Sequence, residues 1–215
     1  MAGGVLRALQ GGLESLYRVE TELDVTDFLL GADRAGARPE RTPREQLLVK
    51  QCDGDLELGL FVDERTLENL ALNDPRQRLD DENLQDFLLA VEGVSHFVYL
   101  VTRARAERPV SAVELELQAE VDKYLVALLV SWSQTGDPPE DLRGRLFARV
   151  QFAGDLSPEE RDRYQLANSA ADEYAASLES RFVKPRAVED LLSEARRFYR
   201  KGFADKLSHI TQLAA

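Results

Sequence analysis

The residues that could do chemistry gather in one stretch of the chain. Glu92 and His96 are spaced Glu-x-x-x-His, which places a carboxylate and an imidazole one helical turn apart on the same face. Glu116 and Glu120 repeat that spacing further on, followed at once by Asp122, and Pro109 lies between the two groups. If the helices on either side of Pro109 run antiparallel, residues equidistant from it lie level: His96 is thirteen before and Asp122 thirteen after. An imidazole and several carboxylates projecting between helices are the raw material of a metal site or an acid–base pair. The simpler expectation for the same residues is a histidine hydrogen-bonded to one carboxylate, fixing the register of two helices while the other acids are solvated.

The familiar signatures of catalysis are missing. The chain has no P-loop, no dinucleotide-binding glycine fingerprint, no H-E-x-x-H and no G-x-S-x-G. With 2 histidines and 1 cysteine it cannot build a zinc site rich in those ligands. Cys52 stands beside a turn signal with no histidine near it in sequence, so no catalytic residue and no cofactor are expected. The di-iron helical bundles use Glu-x-x-His twice, and that motif is not present. The run Glu116-x-x-x-Glu120-x-Asp122 is similar to the acidic runs with which all-helical nucleotide pyrophosphatases bind magnesium, but a second motif of that kind is not matched.

Charge narrows the classes further. The net charge is −12, which disfavours bulk attraction to nucleic acid or to an anionic membrane. The distribution is uneven. Residues 53–92 hold 12 acids against 3 bases, and residues 181–209 hold 8 bases against 4 acids. Residues 31–44 contribute Arg34, Arg38, Arg41 and Arg44 in a Gly- and Pro-containing stretch without apolar period, read as a mobile loop whose guanidinium groups suit phosphate or carboxylate. Near the C-terminal end, Arg196, Arg197 and Arg200 are basic candidates for partner binding, with Phe203 on the adjoining apolar stripe. The single cysteine rules out an internal disulfide and suits a reducing compartment. The start of the chain does not read as a signal peptide, and the strongly apolar run Tyr124–Trp132 is too short to span a bilayer. A cytoplasmic protein without a membrane role is expected. The 22 arginines against 5 lysines suggest a GC-rich bacterial genome.

These residues must be positioned by a few elements. Residues 3–16 carry helical apolar spacing. Residues 18–25 alternate Val19, Thr21, Leu23 and Val25 with acids, which predicts a half-buried strand. Residues 46–52 and 55–62 flank Asp53-Gly54, the strongest short signal for a two-residue hairpin turn. That turn fixes the register: Val49 opposite Leu58, Leu47 opposite Leu60, Lys50 opposite Glu57, with one apolar face buried. Helices are then expected over 63–73, 82–107, 111–135, 137–152, about 26 residues from Ser157, and a final one from Pro185. Ser111 with Glu114 and Ser157 with Glu160 have capping-box spacing. The expected fold is α+β and predominantly α: a small N-terminal module at 1–75 containing the hairpin 46–62, then an antiparallel bundle of long helices at 76–215.

The order of helix, strand and hairpin in a small acidic chain is similar to bacterial secretion chaperones. The long C-terminal helices depart from that pattern, so nothing is carried over. The reading reached from sequence is a non-enzymatic interaction protein of adaptor, regulator or chaperone type, whose partner is another protein or a second copy. Two alternatives stand beside it: a metal-dependent hydrolase using the acidic helix pair, and a nucleic-acid-associated protein using the arginine loop and the last helix, nucleic acid being the less expected partner.

Overall fold

A computed structural model describes residues 3–31, 44–52, 55–148 and 156–214. In chain order the elements are α1 (Gly3–Tyr17), a 3-10 turn (Val25–Phe28), β1 (Glu45–Cys52), β2 (Asp55–Val62), α2 (Glu64–Leu72), α3 (Leu84–Arg105), α4 (Ala112–Thr135), α5 (Pro158–Leu178), α6 (Val188–Tyr199) and α7 (Phe203–Ala214). The fold is α+β and predominantly α, with one antiparallel hairpin toward the N-terminal side and long helices after it.

The apolar stripe of α1, Val5, Leu6, Leu9, Leu13 and Leu16, is buried along its length. The strand expected over residues 18–25 does not form. Arg18 and Glu22 take positive φ, 54° and 55°, and the segment folds back along α1. Its backbone is satisfied by side chains rather than by a ladder. The Gln10 amide donates to the Leu23 carbonyl at 2.6 Å and accepts from the Val25 N–H at 2.8 Å, while Glu14 accepts from the Thr21 N–H at 3.1 Å. Thr21 and Val25 are buried while Leu23 is exposed, so half of the alternation is genuine burial and half is incidental.

The hairpin has the expected register. Leu47 pairs with Leu60, Val49 with Leu58 and Lys50 with Glu57, and the last pair closes at 3.1 Å. The turn residues Asp53 and Gly54 lie outside the described residues. Burial departs from expectation. Leu60 is fully buried, Leu47 and Leu58 are half-buried, and Val49 is 47% exposed. The apolar face runs the full length of the hairpin, but toward the tip its side chains Val49 and Leu56 stand clear of the core. At its base the hairpin packs on α3, where Gly93 leaves room: a Cβ at that position would stand 2.9 Å from the Glu45 side chain and 3.0 Å from Leu60. On the opposite face, a Cβ at Gly59 would collide with the Leu30 side chain.

α3 and α4 lie side by side, antiparallel, with Glu92 across from Lys123 and Tyr99 across from Glu114. Ser111 caps α4 by accepting from the Glu114 N–H at 3.3 Å, and Gly136 ends it with φ 81°. Of the helix expected over 137–152, residues 142–148 are helical and end in a π-turn, Gly144–Ala148, while residues 149–155 lie outside the described set. Arg143 ties that return segment to Asp172 and Glu179. α5 begins with the complete capping box, Ser157 and Glu160 each accepting the other's backbone N–H. The expected last helix is two: α6 stops before Gly202 and α7 starts at Phe203. One apolar cluster runs from Val5 through the base of the hairpin and α3–α5 to Ile210, across the boundary expected near residue 75.

Candidate functional site

Glu45 opens β1, and because side chains alternate along a strand it shares the inner face with Leu47 and Val49. Its carboxylate crosses the gap at Gly93 and approaches His96 Nδ1 to 3.6 Å. The other ring nitrogen of His96 lies 3.6 Å from Glu116 Oε2 on α4, and Glu116 Oε1 lies 3.7 Å from Arg163 Nε on α5. A chain of buried charge therefore connects hairpin, α3, α4 and α5. Its links exceed hydrogen-bond length, and Glu45 Oε1, His96 Nε2 and Arg163 Nε have no hydrogen-bond partner among the described residues. Glu92 and Glu120 are drawn elsewhere: both accept from Lys123 Nζ, at 3.1 and 2.6 Å.

Electrostatics follows from burial and pairing. Burial by itself would lower the His96 pKa, but the carboxylates of Glu116 and Glu45 on either side hold it well above 6.5. Glu45 is pushed up by burial against the pull of His96. Burial opposes ionisation of Glu92, and the Lys123 ammonium outweighs it, leaving the carboxyl below its ordinary value. Burial raises Glu120 despite the same ammonium. Among the described residues no group of three or more His, Cys, Asp or Glu side chains is placed to hold a metal ion.

Asp122 belongs to a different cluster on the far side of the same helix pair. It accepts from Ser95 Oγ at 2.5 Å, from Gln118 Nε2 at 2.8 Å and from the Tyr17 hydroxyl. The expectation that Asp122 lies level with His96 is met only along the axis: its neighbour across the seam is Ser95, one residue and about 100° away. Lys206, brought inward by α7, donates to Gln118 Oε1 at 2.6 Å and Tyr99 at 2.9 Å, and Tyr99 in turn donates to Glu114 at 2.6 Å. Burial pushes Asp122 up to about 6 and Lys206 down to about 7. This second cluster joins α1, α3, α4 and α7.

Arg34, Arg38 and Arg41 lie outside the described residues. Arg44 is engaged with Asp86 at 2.5 Å and Thr66 at 2.7 Å. Arg196 and Arg200 donate to the Leu16 and Tyr17 carbonyls at the end of α1, at 2.7 and 3.3 Å, where cations suit a helix C-terminus. Arg197 pairs with Glu194, whose other oxygen holds His209 at 2.5 Å. Phe203 is half-buried against the core. The sequence did not single out Glu45, Lys123 or Arg163. Glu45 was legible in principle, since it has the same parity as the apolar positions of its strand. Lys123 follows Glu120 by three residues and mirrors Glu92 across the α3–α4 turn. Nothing local distinguishes Arg163 from its neighbours.

Two apolar surfaces remain uncovered among the described residues. One is a groove of about 120 Å³ lined by Val5, Leu9 and Leu13 of α1, Phe87 of α3, and Val126 and Val130 of α4. The other is the overhanging end of the hairpin, with Val49 47% and Leu56 39% exposed. Among the described residues the hairpin also has an open edge. The Leu60 carbonyl accepts from Leu30 N–H at 2.8 Å on the side away from β1, so Leu60 and Leu47 form a non-hydrogen-bonded pair. The backbone groups of Glu45, Leu47, Val49 and Gln51 therefore point outward, and no described strand pairs with them. α3 has the length and apolar composition of a membrane span, and 78% of its apolar window is buried inside the fold. Comparison of the chain with protein-family models, with curated proteins and with solved structures finds no match.

Proposed function

We propose that this chain is a non-enzymatic interaction protein of a reducing, cytoplasmic compartment, and that its contact surface is the hairpin. The observation that carries this reading is the open outer edge of β1 beside the exposed side chains Val49 and Leu56. An eight-residue strand whose outward N–H and C=O groups meet no described strand is a template for another extended segment, which gains main-chain hydrogen bonds from the edge and specificity from alternate side chains. The ionisable groups point the same way. His96, Glu92, Glu116, Glu120 and Asp122 are all engaged within the fold. Their burial favours a part in holding helices together over a part in turning over substrate.

The test is site-specific photo-crosslinking in cells, with the reactive side chain at position 49 and, as a control, at the exposed Leu72 of α2. The expected result is a discrete protein adduct from position 49 and none of that size from position 72. Equal or absent labelling from the two positions overturns the reading.

A further inference from the structure

We infer that the strand added to β1 is β1 of a second copy, so that two hairpins join antiparallel into a four-stranded sheet. This rests on the interaction reading above and names its partner.

The first ground is register. A two-fold axis perpendicular to the sheet and passing beside Leu48 sets Leu48 opposite its own copy. Leu47 then faces the second copy's Val49, Gln46 faces Lys50, and Glu45 faces Gln51. Apolar residues meet apolar ones, polar meet polar, and no like charges are opposed. The outward-pointing residues Glu45, Leu47, Val49 and Gln51 map onto one another, which an antiparallel hydrogen-bonded ladder requires. Such a contact is isologous and closes at two.

The second ground is the overhang. The inner face of the hairpin packs on the core through Leu47, Leu58 and Leu60 and leaves Val49 and Leu56 exposed. In the paired arrangement both bundles lie on the same face of the joined sheet, and antiparallel strands set the base of one hairpin beside the tip of the other. Each bundle thus comes to lie next to the other copy's overhanging Val49 and Leu56, the apolar side chains that its own bundle leaves exposed. An arrangement of this kind accounts for an apolar inner face that extends beyond its own contact with α3. The outer edge of β2 is not an alternative at the same depth, since Leu30 already bonds Leu60 there.

Sedimentation of the full chain across a dilution series tests the pairing, with Val49→Pro and Val49→Lys beside the wild type. Val49 donates no hydrogen bond to β2, so Val49→Pro removes an outward N–H while the hairpin's own ladder stays intact. Val49→Lys keeps the N–H and sets a charge opposite Leu47 of the second copy. The wild type is expected to sediment as a dimer that dissociates on dilution. Both variants are expected to be monomeric at least tenfold above the wild-type midpoint, with unchanged far-ultraviolet circular dichroism. A wild type that is monomeric at every concentration, or a dimer that both variants leave intact, overturns the pairing. A monomeric wild type that still forms the adduct from position 49 leaves the interaction reading standing with a different protein on the edge, whereas loss of both removes that reading as well.

Discussion

At the scale of single residues, the buried charges make opposing demands on pH. His96 keeps its proton in the fold above its ordinary value, so the stabilisation it contributes is complete below about 6.5 and fades as pH rises through the raised value. Glu45, also raised, acts in the same direction. Lys206 is lowered to about 7 from 10.5; the unfolded chain binds the extra proton over that interval, and this group alone makes stability climb with pH there. Urea unfolding between pH 6 and 10 separates the two. His96→Ala is expected to cost about 1–3 kcal/mol near neutrality by leaving buried carboxylates without their partner, and to flatten the alkaline decline. Lys206→Met is expected to remove the opposing climb and leave the decline steeper than in the wild type. Parallel curves for wild type and both variants would refute these assignments. The sequence identified His96, Glu92, Glu116 and Glu120 but grouped Asp122 with them, because counting from a turn fixes height along a helix and says little about which face a residue occupies.

At the scale of elements, local signals proved most informative where a single turn or cap decides the outcome. Asp53-Gly54 and the alternating strands specify the hairpin register, and Ser157-Pro158-Glu159-Glu160 specifies the start of α5. Ser157→Ala is expected to destabilise the protein by about 0.5–2 kcal/mol, read from thermal unfolding, since it frees the Glu160 N–H. Elements whose backbone is satisfied by distant side chains were not legible. Residues 18–24 alternate like a strand, yet Gln10 and Glu14 supply the partners a ladder would have supplied. The last helix keeps its apolar period across residues 200–202, and the break there is visible only in the inward turn of Lys206 to Tyr99 and Gln118. The seat of the hairpin depends on a missing side chain. Gly93→Ala is expected to cost about 1–3 kcal/mol by pressing a methyl group into Glu45 and Leu60. Faster amide exchange in β2 at Gly59 and Phe61, whose amides face β1, with α4 unchanged, would show that the loss is local to the hairpin.

At the scale of the whole molecule, one apolar cluster takes in residues on both sides of position 75, from Val5 to Ile210. The charge asymmetry read along the chain is in part internal: the basic C-terminal helices close the end of α1 through Arg196 and Arg200, and Arg44 engages Asp86. Among the described residues, the hairpin stands partly clear of the bundle, with the outer edge of β1 unpaired and Val49 and Leu56 of one face exposed. Its two sets of backbone amides can be told apart in a single experiment. Leu48 and Lys50 donate within the hairpin; Leu47 and Val49 point out. Residue-resolved amide hydrogen exchange in β1, followed as protein concentration is raised, tests the open edge directly. The account predicts slow exchange at Leu48 and Lys50 throughout, with Leu47 and Val49 exchanging fast when dilute and becoming protected as the concentration rises. Fast exchange at Leu47 and Val49 at every concentration would contradict pairing along this edge, and equal protection of all four amides in dilute solution would show that the edge was never open.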